Sequence, residues 1–441
     1  MEPKRLMLAA LALVALSGAL WWSNKEEAKG EKNPGPDDAP KILEIAQDQI
    51  VKIELKRLGA EPVLLEKSDS WALKAPKALG ADQDAVSAVA SALAVLSSDR
   101  LVADKMDNAD KYGLNQPVMT VIVTRKDGKT HVLQLGSDTP SGSATYARVE
   151  GDPKLYTVAT FTKASLDKTW RDLRDKRLLP FDSEKLTRVE TTAKGATIEF
   201  GKNNANNWTM LKPKALRTDN FAAEELVRKL KEAKIEVTND VEEEGKWPAK
   251  FTAAAVVGSA KVTDQKGTMS IEIRKDKDNA YFAKSSAVEG IFKTTQEAGE
   301  ALGKGVDDYR NKKLFEFGFT EPDRVEVKQD GAVYSFSKVN NDWKKDGKSV
   351  EPGQVQQVID KLRDLAATKF ADAATGAVYG EYSVKAEKVV VTKQGETFYG
   401  KRADSNEAAV LDPSAVTEIK TLAAAVKEPA ASAKPEEKKK K

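Results

Sequence analysis

The sequence predicts an α+β protein of three tandem repeats, each an antiparallel sheet with amphipathic helices packed on one face, after an N-terminal transmembrane helix. Three observations predict it. A set of residues recurs every 136 positions, a β-type run followed by an amphipathic helix fills each period, and one long apolar stretch lies at the N-terminus.

The N-terminal element comes first. Lys4 and Arg5 precede an apolar stretch from Leu6 to Leu20, broken only by Ser17 and Gly18 and closed by Trp21 and Trp22. The seventeen residues from Leu6 to Trp22 would rise roughly 25 Å as a helix, enough to span a bilayer core. The basic flank favours the cytoplasmic side, and paired tryptophans suit the far interface. The expectation is a single-pass anchor over residues 1–22 with the bulk of the chain outside the cytoplasm. A cleaved signal peptide is the alternative, since Ser17-Gly18-Ala19 forms a small-x-small cleavage site. Residues 23–40 are rich in Lys, Glu, Gly, Pro and Asp without periodicity, and read as a flexible linker.

The repeat comes next, because internal periodicity decides the architecture. Val51-Lys52-Ile53-Glu54, Thr187-Arg188-Val189-Glu190 and Asp323-Arg324-Val325-Glu326 each open a β-type run, and they start 136 residues apart. A tryptophan follows each one: Trp71, Trp208 and Trp343. Arg174-Asp175-Lys176-Arg177-Leu178-Leu179 is matched by Arg310-Asn311-Lys312-Lys313-Leu314-Phe315, again 136 residues on. The expected units are residues 41–178, 179–313 and 314–427, followed by a disordered Lys-rich tail, 428–441.

Within a unit, a hairpin leads to a Trp-bearing strand, then to a helix. Val86, Val89, Leu93 and Leu96 are spaced 3, 4, 3 behind a candidate N-cap, Asp82; Val355, Val358, Leu362 and Leu365 repeat that spacing. Leu226, Val227 and Leu230 form the stripe of the second unit. Val118 to Thr124 and Thr130 to Leu135 flank Asp127-Gly128, a hairpin signal. Two short strands, Thr145 to Val149 and Leu155 to Ala159, precede a closing helix, Phe161 to Leu173. The third unit reads as lacking one of these strands. The three tryptophans and the helix stripes are expected in the core.

Composition narrows the function. Net charge is +3, and residues 434–441 alone hold five lysines against two glutamates. The rest is near neutral, so the basic face that a nucleic-acid binder uses is missing. With no cysteine, thiolate chemistry, disulfides and Cys-based metal sites are excluded. The one histidine, His131, rules out His-based metal triads; it sits between a tight turn and apolar Val132-Leu133, without a Gly-x-Ser-x-Gly elbow, and reads as an ordinary strand residue. Phosphate-loop and dinucleotide fingerprints are absent. Asp276-Lys277-Asp278-Asn279, the trio Asp104, Asp107 and Asp110, and Glu242-Glu243-Glu244 lack calcium-loop spacing and read as solvated turns. No catalytic residue, metal ligand or cofactor is expected.

At Tyr112-Gly113-Leu114-Asn115-Gln116-Pro117 a resemblance appears. This step, followed by Leu135-Gly136, Tyr146-Ala147-Arg148 and Tyr156-Thr157-Val158, with Trp71 to Pro76 before it and Leu173 to Lys176 after it, resembles the domain-of-unknown-function 4340 family. The second unit has Trp247-Pro248 where Tyr-Gly would stand, and the third keeps Tyr379-Gly380. The resemblance implies a bacterial envelope protein with an N-terminal membrane helix, of a kind encoded near ABC-transporter and gliding-associated auxiliary proteins. It implies no catalytic residue. Physically, Gly113 allows a left-handed helix end and Pro117 bars further helix.

The expected function is therefore a tethered scaffold or partner-binding protein of the inner membrane, facing the periplasm, whose partner is another envelope protein. A polysaccharide-, peptidoglycan- or lipid-binding protein using Trp and Tyr as stacking platforms is the second expectation. A carboxylate-dependent hydrolase is the third.

Overall fold

The computed structural model describes residues 40–238 and 240–429. The expected membrane segment with Lys4, Arg5, Trp21 and Trp22, and the Lys-rich tail from residue 430, lie outside the described residues. Among the described residues, no helix is long and apolar enough to cross a membrane. These residues fall into two compact units, 40–176 with 237–238, and 177–236 with 240–429. Among the described residues the architecture is three antiparallel sheets and eight α-helices.

The first compact unit holds a nine-stranded sheet. Its strands are β1 (Ile50–Arg57), β2 (Val63–Lys67), β3 (Trp71–Ala75), β4 (Leu79–Gly80), β5 (Arg100–Ala103), β6 (Met119–Arg125), β7 (Thr130–Asp138), β8 (Ala144–Val149) and β9 (Leu155–Ala159), in the order β4-β3-β2-β1-β6-β7-β8-β9-β5. Its main helix, α1 (Gln83–Ala94), starts where Asp82 accepts a hydrogen bond from the Ala85 N–H at 3.1 Å, and it buries Val86, Val89 and Leu93. The closing helix is broken in two, α2 (Thr160–Leu166) and α3 (Trp170–Leu173). This departs from the continuous helix expected from Phe161 to Leu173. The cause is local: Thr169 and Asp172 form a reciprocal capping box that starts a new helix.

The second compact unit holds two sheets. The first has seven strands: β10 (Arg188–Ala193), β11 (Ala196–Lys202), β12 (Trp208–Lys212), β13 (Ala255–Asp264), β14 (Gly267–Lys275), β15 (Tyr281–Ser285) and β16 (Ile291–Thr294), in the order β12-β11-β10-β13-β14-β15-β16. It carries α4 (Asn220–Glu232), α5 (Val241–Ala253) and α6 (Gln296–Leu302). The last sheet has β17 (Arg324–Gln329), β18 (Ala332–Val339), β19 (Asp342–Lys345), β20 (Lys348–Ser349), β21 (Ala367–Ala371), β22 (Ala377–Val384), β23 (Glu387–Gln394), β24 (Thr397–Arg402) and β25 (Ala408–Leu411), in the order β20-β19-β18-β17-β22-β23-β24-β25-β21. Its helices are α7 (Pro352–Asp364) and α8 (Pro413–Ala425).

Strand for strand, the first and last sheets follow one order. The middle sheet fills seven of the same nine positions, and at the other two the pairing shrinks to single bridges, Met210 with Leu216 and Ile235 with Thr294. Trp71 opens β3, Trp208 opens β12 and Trp343 is the second residue of β19, the third strand in sequence of each sheet; all three are buried in their own core cluster. The first helical residue holds the tryptophan backbone in two of the sheets: Gln83 Oε1 accepts from the Trp71 N–H at 2.9 Å, and Asn220 Oδ1 from the Trp208 N–H at 2.7 Å.

Three expectations need correction. The third unit lacks no strand: β22 pairs with both β17 and β23, and Tyr379-Gly380 lies inside it rather than in a turn. Glu242-Glu243-Glu244 is not a turn but the first turn of α5, capped by Asp240 through the Glu243 N–H at 2.9 Å; carboxylates there complement the helix dipole. Helices do not keep to one face in the middle sheet. Phe282 alternates away from the main core with Arg274 and Lys293 as neighbours, yet it is buried, and α5 brings Phe251 under the Arg274 guanidinium on that side, 4.6 Å from the ring centre.

Candidate functional site

Three places gather side chains that could carry chemistry. The first is the Tyr-Gly-Leu step. Residues Ala109–Tyr112 form a 3-10 turn that ends at Gly113, whose φ of 65° is the left-handed conformation favoured by glycine. The turn lies against the sheet so closely that a Cβ at Gly136 would sit 2.0 Å from the Tyr112 carbonyl oxygen. Tyr112 packs its ring on Tyr146, with centres 4.9 Å apart, and Leu114 is fully buried. Arg148 donates to Gln134 Oε1 at 2.6 Å and to the Leu114 carbonyl at 3.3 Å. Pro117 stands two residues before β6. Tyr156 donates to Asp152 at 2.8 Å; burial first, and then that carboxylate, push its phenol up to about 12. The structure thus brings Tyr112, Gly113, Gly136, Tyr146 and Arg148 together, and their shared task is to seat a loop on the second face of the sheet.

The second place is the outward face of the strand that opens each sheet. Ile53, Val189 and Val325 point into the cores, so their neighbours Glu54, Glu190 and Glu326 face the other way. Each glutamate pairs with a lysine: Lys56 at 3.0 Å, Lys261 at 2.8 Å and Lys328 at 2.9 Å. In the middle sheet Glu190 stands directly opposite Glu199. Two carboxylates thus stand side by side on neighbouring strands. Glu199, however, is held by Lys212 at 2.7 Å and by Arg188, and Lys212 in particular keeps its carboxyl below the ordinary 4.5. A carboxylate held ionised cannot serve as a proton donor. His131 is half-buried opposite Val123, with its Nε2 buried and without a hydrogen-bond partner among the described residues.

The third place was not legible in the sequence. In the second compact unit a polar cleft of about 680 Å³ is lined by Asn203, Asn207, Trp208, Arg217, Asn406 and Glu407, among others. Its floor is a network of paired charges. Arg217 Nη1 donates to the Lys313 carbonyl at 2.9 Å, and its Nη2 lies 2.7 Å from Glu316. Arg310 donates to Glu407 at 2.9 Å and lies over the Phe370 ring. Arg402 donates to the Leu314 carbonyl at 2.9 Å and to Glu387 at 2.8 Å, and grips Asp404 with two nitrogens; that grip holds the Asp404 carboxyl below its ordinary range. The residues come from segments far apart in sequence, and only the fold collects them. The arrangement can offer hydrogen bonds to a polar ligand. Among the described residues, no three His, Asp or Glu side chains are grouped to hold a metal ion.

The profile of one family, described as a domain of unknown function (DUF4340), matches residues 71–255 and again 249–382. The chain belongs to the DUF4340 family. Each DUF4340 match starts part-way through one sheet or its capping helix and ends in the next, the first running from Trp71 in β3 to the start of β13 and the second from α5 into β22. No curated protein and no solved structure matches the chain.

Proposed function

We propose that this DUF4340 chain is a membrane-tethered scaffold, anchored in the bacterial inner membrane by residues 1–22 with its three units on the periplasmic side, and that it binds another envelope protein. An accessory role in an ABC-type transport or motility-linked assembly is the setting that the family resemblance favours. Tandem units of one design support the reading, since they offer several contacts on one chain.

The observation that carries it is the division of labour among the aromatic residues. Trp71, Trp170, Trp208, Trp247 and Trp343 are all buried, which removes them as stacking platforms for a polysaccharide. Phe221 and Phe319 stand 78% and 92% exposed. Large apolar anchors of that kind dominate protein–protein contacts. Arg363 holds the Phe319 loop in place, donating to the Gly318 carbonyl at 2.7 Å with its guanidinium 5.4 Å from the ring centre.

The test is capture of the full-length chain from solubilised membranes, alongside the double variant Phe221→Asp with Phe319→Asp. A defined protein should co-purify with the wild type and be lost from the variant, while the variant keeps the wild-type melting profile. Recovery of the chain alone, together with retention on isolated peptidoglycan, would reverse the assignment in favour of the polysaccharide reading.

A further inference from the structure

The first compact unit has two unlike ends. Its antiparallel register puts the C-terminal ends of β1, β7 and β9 and the N-terminal ends of β2, β6 and β8 at one end of the sheet. Four of the five exposed large apolar residues between positions 40 and 176 sit there: Leu58 (70% exposed), Val95 (68%), Val118 (38%) and Phe161 (80%). Leu58 follows β1, and its N–H donates to the Val118 carbonyl at 3.0 Å. Phe161 is the second residue of α2, whose first N–H donates to Ser143 beside the start of β8. Val95 caps the C-terminus of α1, and the strand that follows it joins β9 through the Asp99 N–H and the Thr157 carbonyl, 2.7 Å apart.

The turns at the opposite end are polar, and Val102 is the one exposed large apolar residue level with them among the described residues 40–176. These turns are Ser68-Asp69-Ser70, Lys126-Asp127-Gly128-Lys129 and Glu150-Gly151-Asp152-Pro153-Lys154. Exposed apolar residues on a soluble domain are ordinarily scattered singly; here they are sorted to one end, and that sorting calls for a partner.

The position of the chain entry says which partner. Pro40 is the first described residue, and its carbonyl accepts from the Ser98 N–H at 2.8 Å. It therefore lies level with the C-terminal end of β9, at the apolar end. The chain then climbs beside α1, with Ile45 bonded to Ala94 and Gln47 to Ser87, before β1 descends. Seventeen residues separate Trp22 from Pro40, a span of at most roughly 60 Å. The chain leading from the proposed anchor thus enters the unit at its apolar end, and not at the polar one.

We infer that this end of the first unit docks on the lipid surface, with Leu58, Val95, Val118 and Phe161 seated among the headgroups and upper acyl chains. Apolar side chains on peripheral elements enter that boundary by about 5–10 Å. Several charges near them are paired: Arg57 with Asp167 at 3.1 Å, Lys163 with Asp138 at 2.8 Å, and Lys41 with Glu44 at 2.8 Å. Docking is accordingly driven by apolar burial and does not call for anionic lipid. The inference rests on the anchor proposed above and adds an orientation to it.

The chain has no cysteine, so a single introduced thiol reports one position. Leu58→Cys, Phe161→Cys and, at the polar end, Asp69→Cys are each labelled with an environment-sensitive dye in the full-length chain reconstituted into phosphatidylcholine vesicles. Labels at 58 and 161 should shift to the blue, be quenched by spin-labelled lipid, and be several-fold less accessible to aqueous iodide than the label at 69. The pattern should persist when one-fifth of the lipid is anionic. If the chain floats with the vesicles while the labels at 58 and 161 stay as iodide-accessible as the label at 69, the docking is wrong and the anchor stands. If it does not float, both fail. If the labels become shielded only when a native membrane extract is added, a protein covers this end instead of lipid, and the docking is again overturned.

Discussion

Replacing Gly136 with alanine tests the account given of the family motif. The new Cβ would lie 2.0 Å from the Tyr112 carbonyl oxygen and 3.1 Å from both the Gly113 carbonyl carbon and Leu114 Cγ. The nearest atoms belong to the backbone, so no side-chain rotation relieves the clash. Two responses are open. The sheet and turn can shift together, at the usual overpacking cost of about 1–3 kcal/mol. Alternatively the turn lifts off, giving up the burial of Leu114, about 2 kcal/mol, and the Tyr112–Tyr146 ring pair, about 1 kcal/mol. The chain takes the cheaper route, so the expected loss is about 1.5–3 kcal/mol.

Hydrogen exchange read by mass spectrometry on the full-length chain is the appropriate assay, because a three-sheet protein need not unfold in one step. Peptides covering residues 108–118 should lose protection by roughly ten-fold or more, at 1.4 kcal/mol per decade. Gly245→Ala is the control: it lies inside α5 with no heavy atom within 4 Å of the added methyl group, and should gain roughly 0.5–1 kcal/mol. Unchanged protection at 108–118 in Gly136→Ala would show that the turn does not rest on the sheet, and the structural explanation of the motif would fail.

Two further outcomes are expected. Trp71→Ala and Trp343→Ala should each cost about 3–5 kcal/mol in denaturant unfolding, as emptied core sites of that size do, and a loss within 1 kcal/mol would show that these positions are not core. Glu199→Gln should flatten the acid limb of the stability curve. Lys212 and Arg188 depress the folded pKa of Glu199, so its contribution is complete above the ordinary 4.5 and drains away as pH falls through the lower folded value. Titrating both chains from pH 6 to pH 2 by circular dichroism checks this, and parallel acid limbs would contradict it.

The sequence was most readable where one physical pattern acted alone. Val86, Val89 and Leu93 face a core because their spacing leaves no other face for them, and the 136-residue period carried the tryptophans to the same strand in each sheet. It was least readable where two patterns overlapped. β22 is hard to read because Tyr379-Gly380 imitates the Tyr-Gly step of the first unit, although Gly380, Tyr382 and Val384 alternate as a strand should. α5 is hidden because its acidic first turn and Pro248 look like loop; the signal for it is Asp240 at the cap with Trp247 and Phe251 four residues apart on one face. The cleft had no sequence signal, because Asn203, Arg217 and Asn406 meet only through tertiary packing.

The connector between the middle and last sheets explains why the period is kept so strictly. Its first half belongs to the middle sheet: the Asp219 N–H donates to the Tyr309 carbonyl at 2.8 Å, and the Asn311 N–H to the Arg217 carbonyl at 2.9 Å. Its second half belongs to the last sheet, where the Leu314 N–H donates to Leu365 at 2.9 Å and the Ala367 N–H to Lys312 at 2.8 Å. Six residues thus bond to both sides as one extended connector, with Arg310 paired to Glu407 and Arg217 to Glu316. A connector bonded on both sides cannot be lengthened without breaking one set of bonds, whereas the hairpin tip at Asp346-Gly347 carries only its own turn. Three glycines inserted after Asn311 should therefore uncouple the two sheets, turning one unfolding transition of residues 177–429 into two and opening the connector to protease. The same insertion after Gly347 should leave that transition single, since loop length alone costs only about 0.6 kcal/mol per doubling. Equal behaviour of the two insertions would mean that the connector is a passive link and that the period is not held by these bonds.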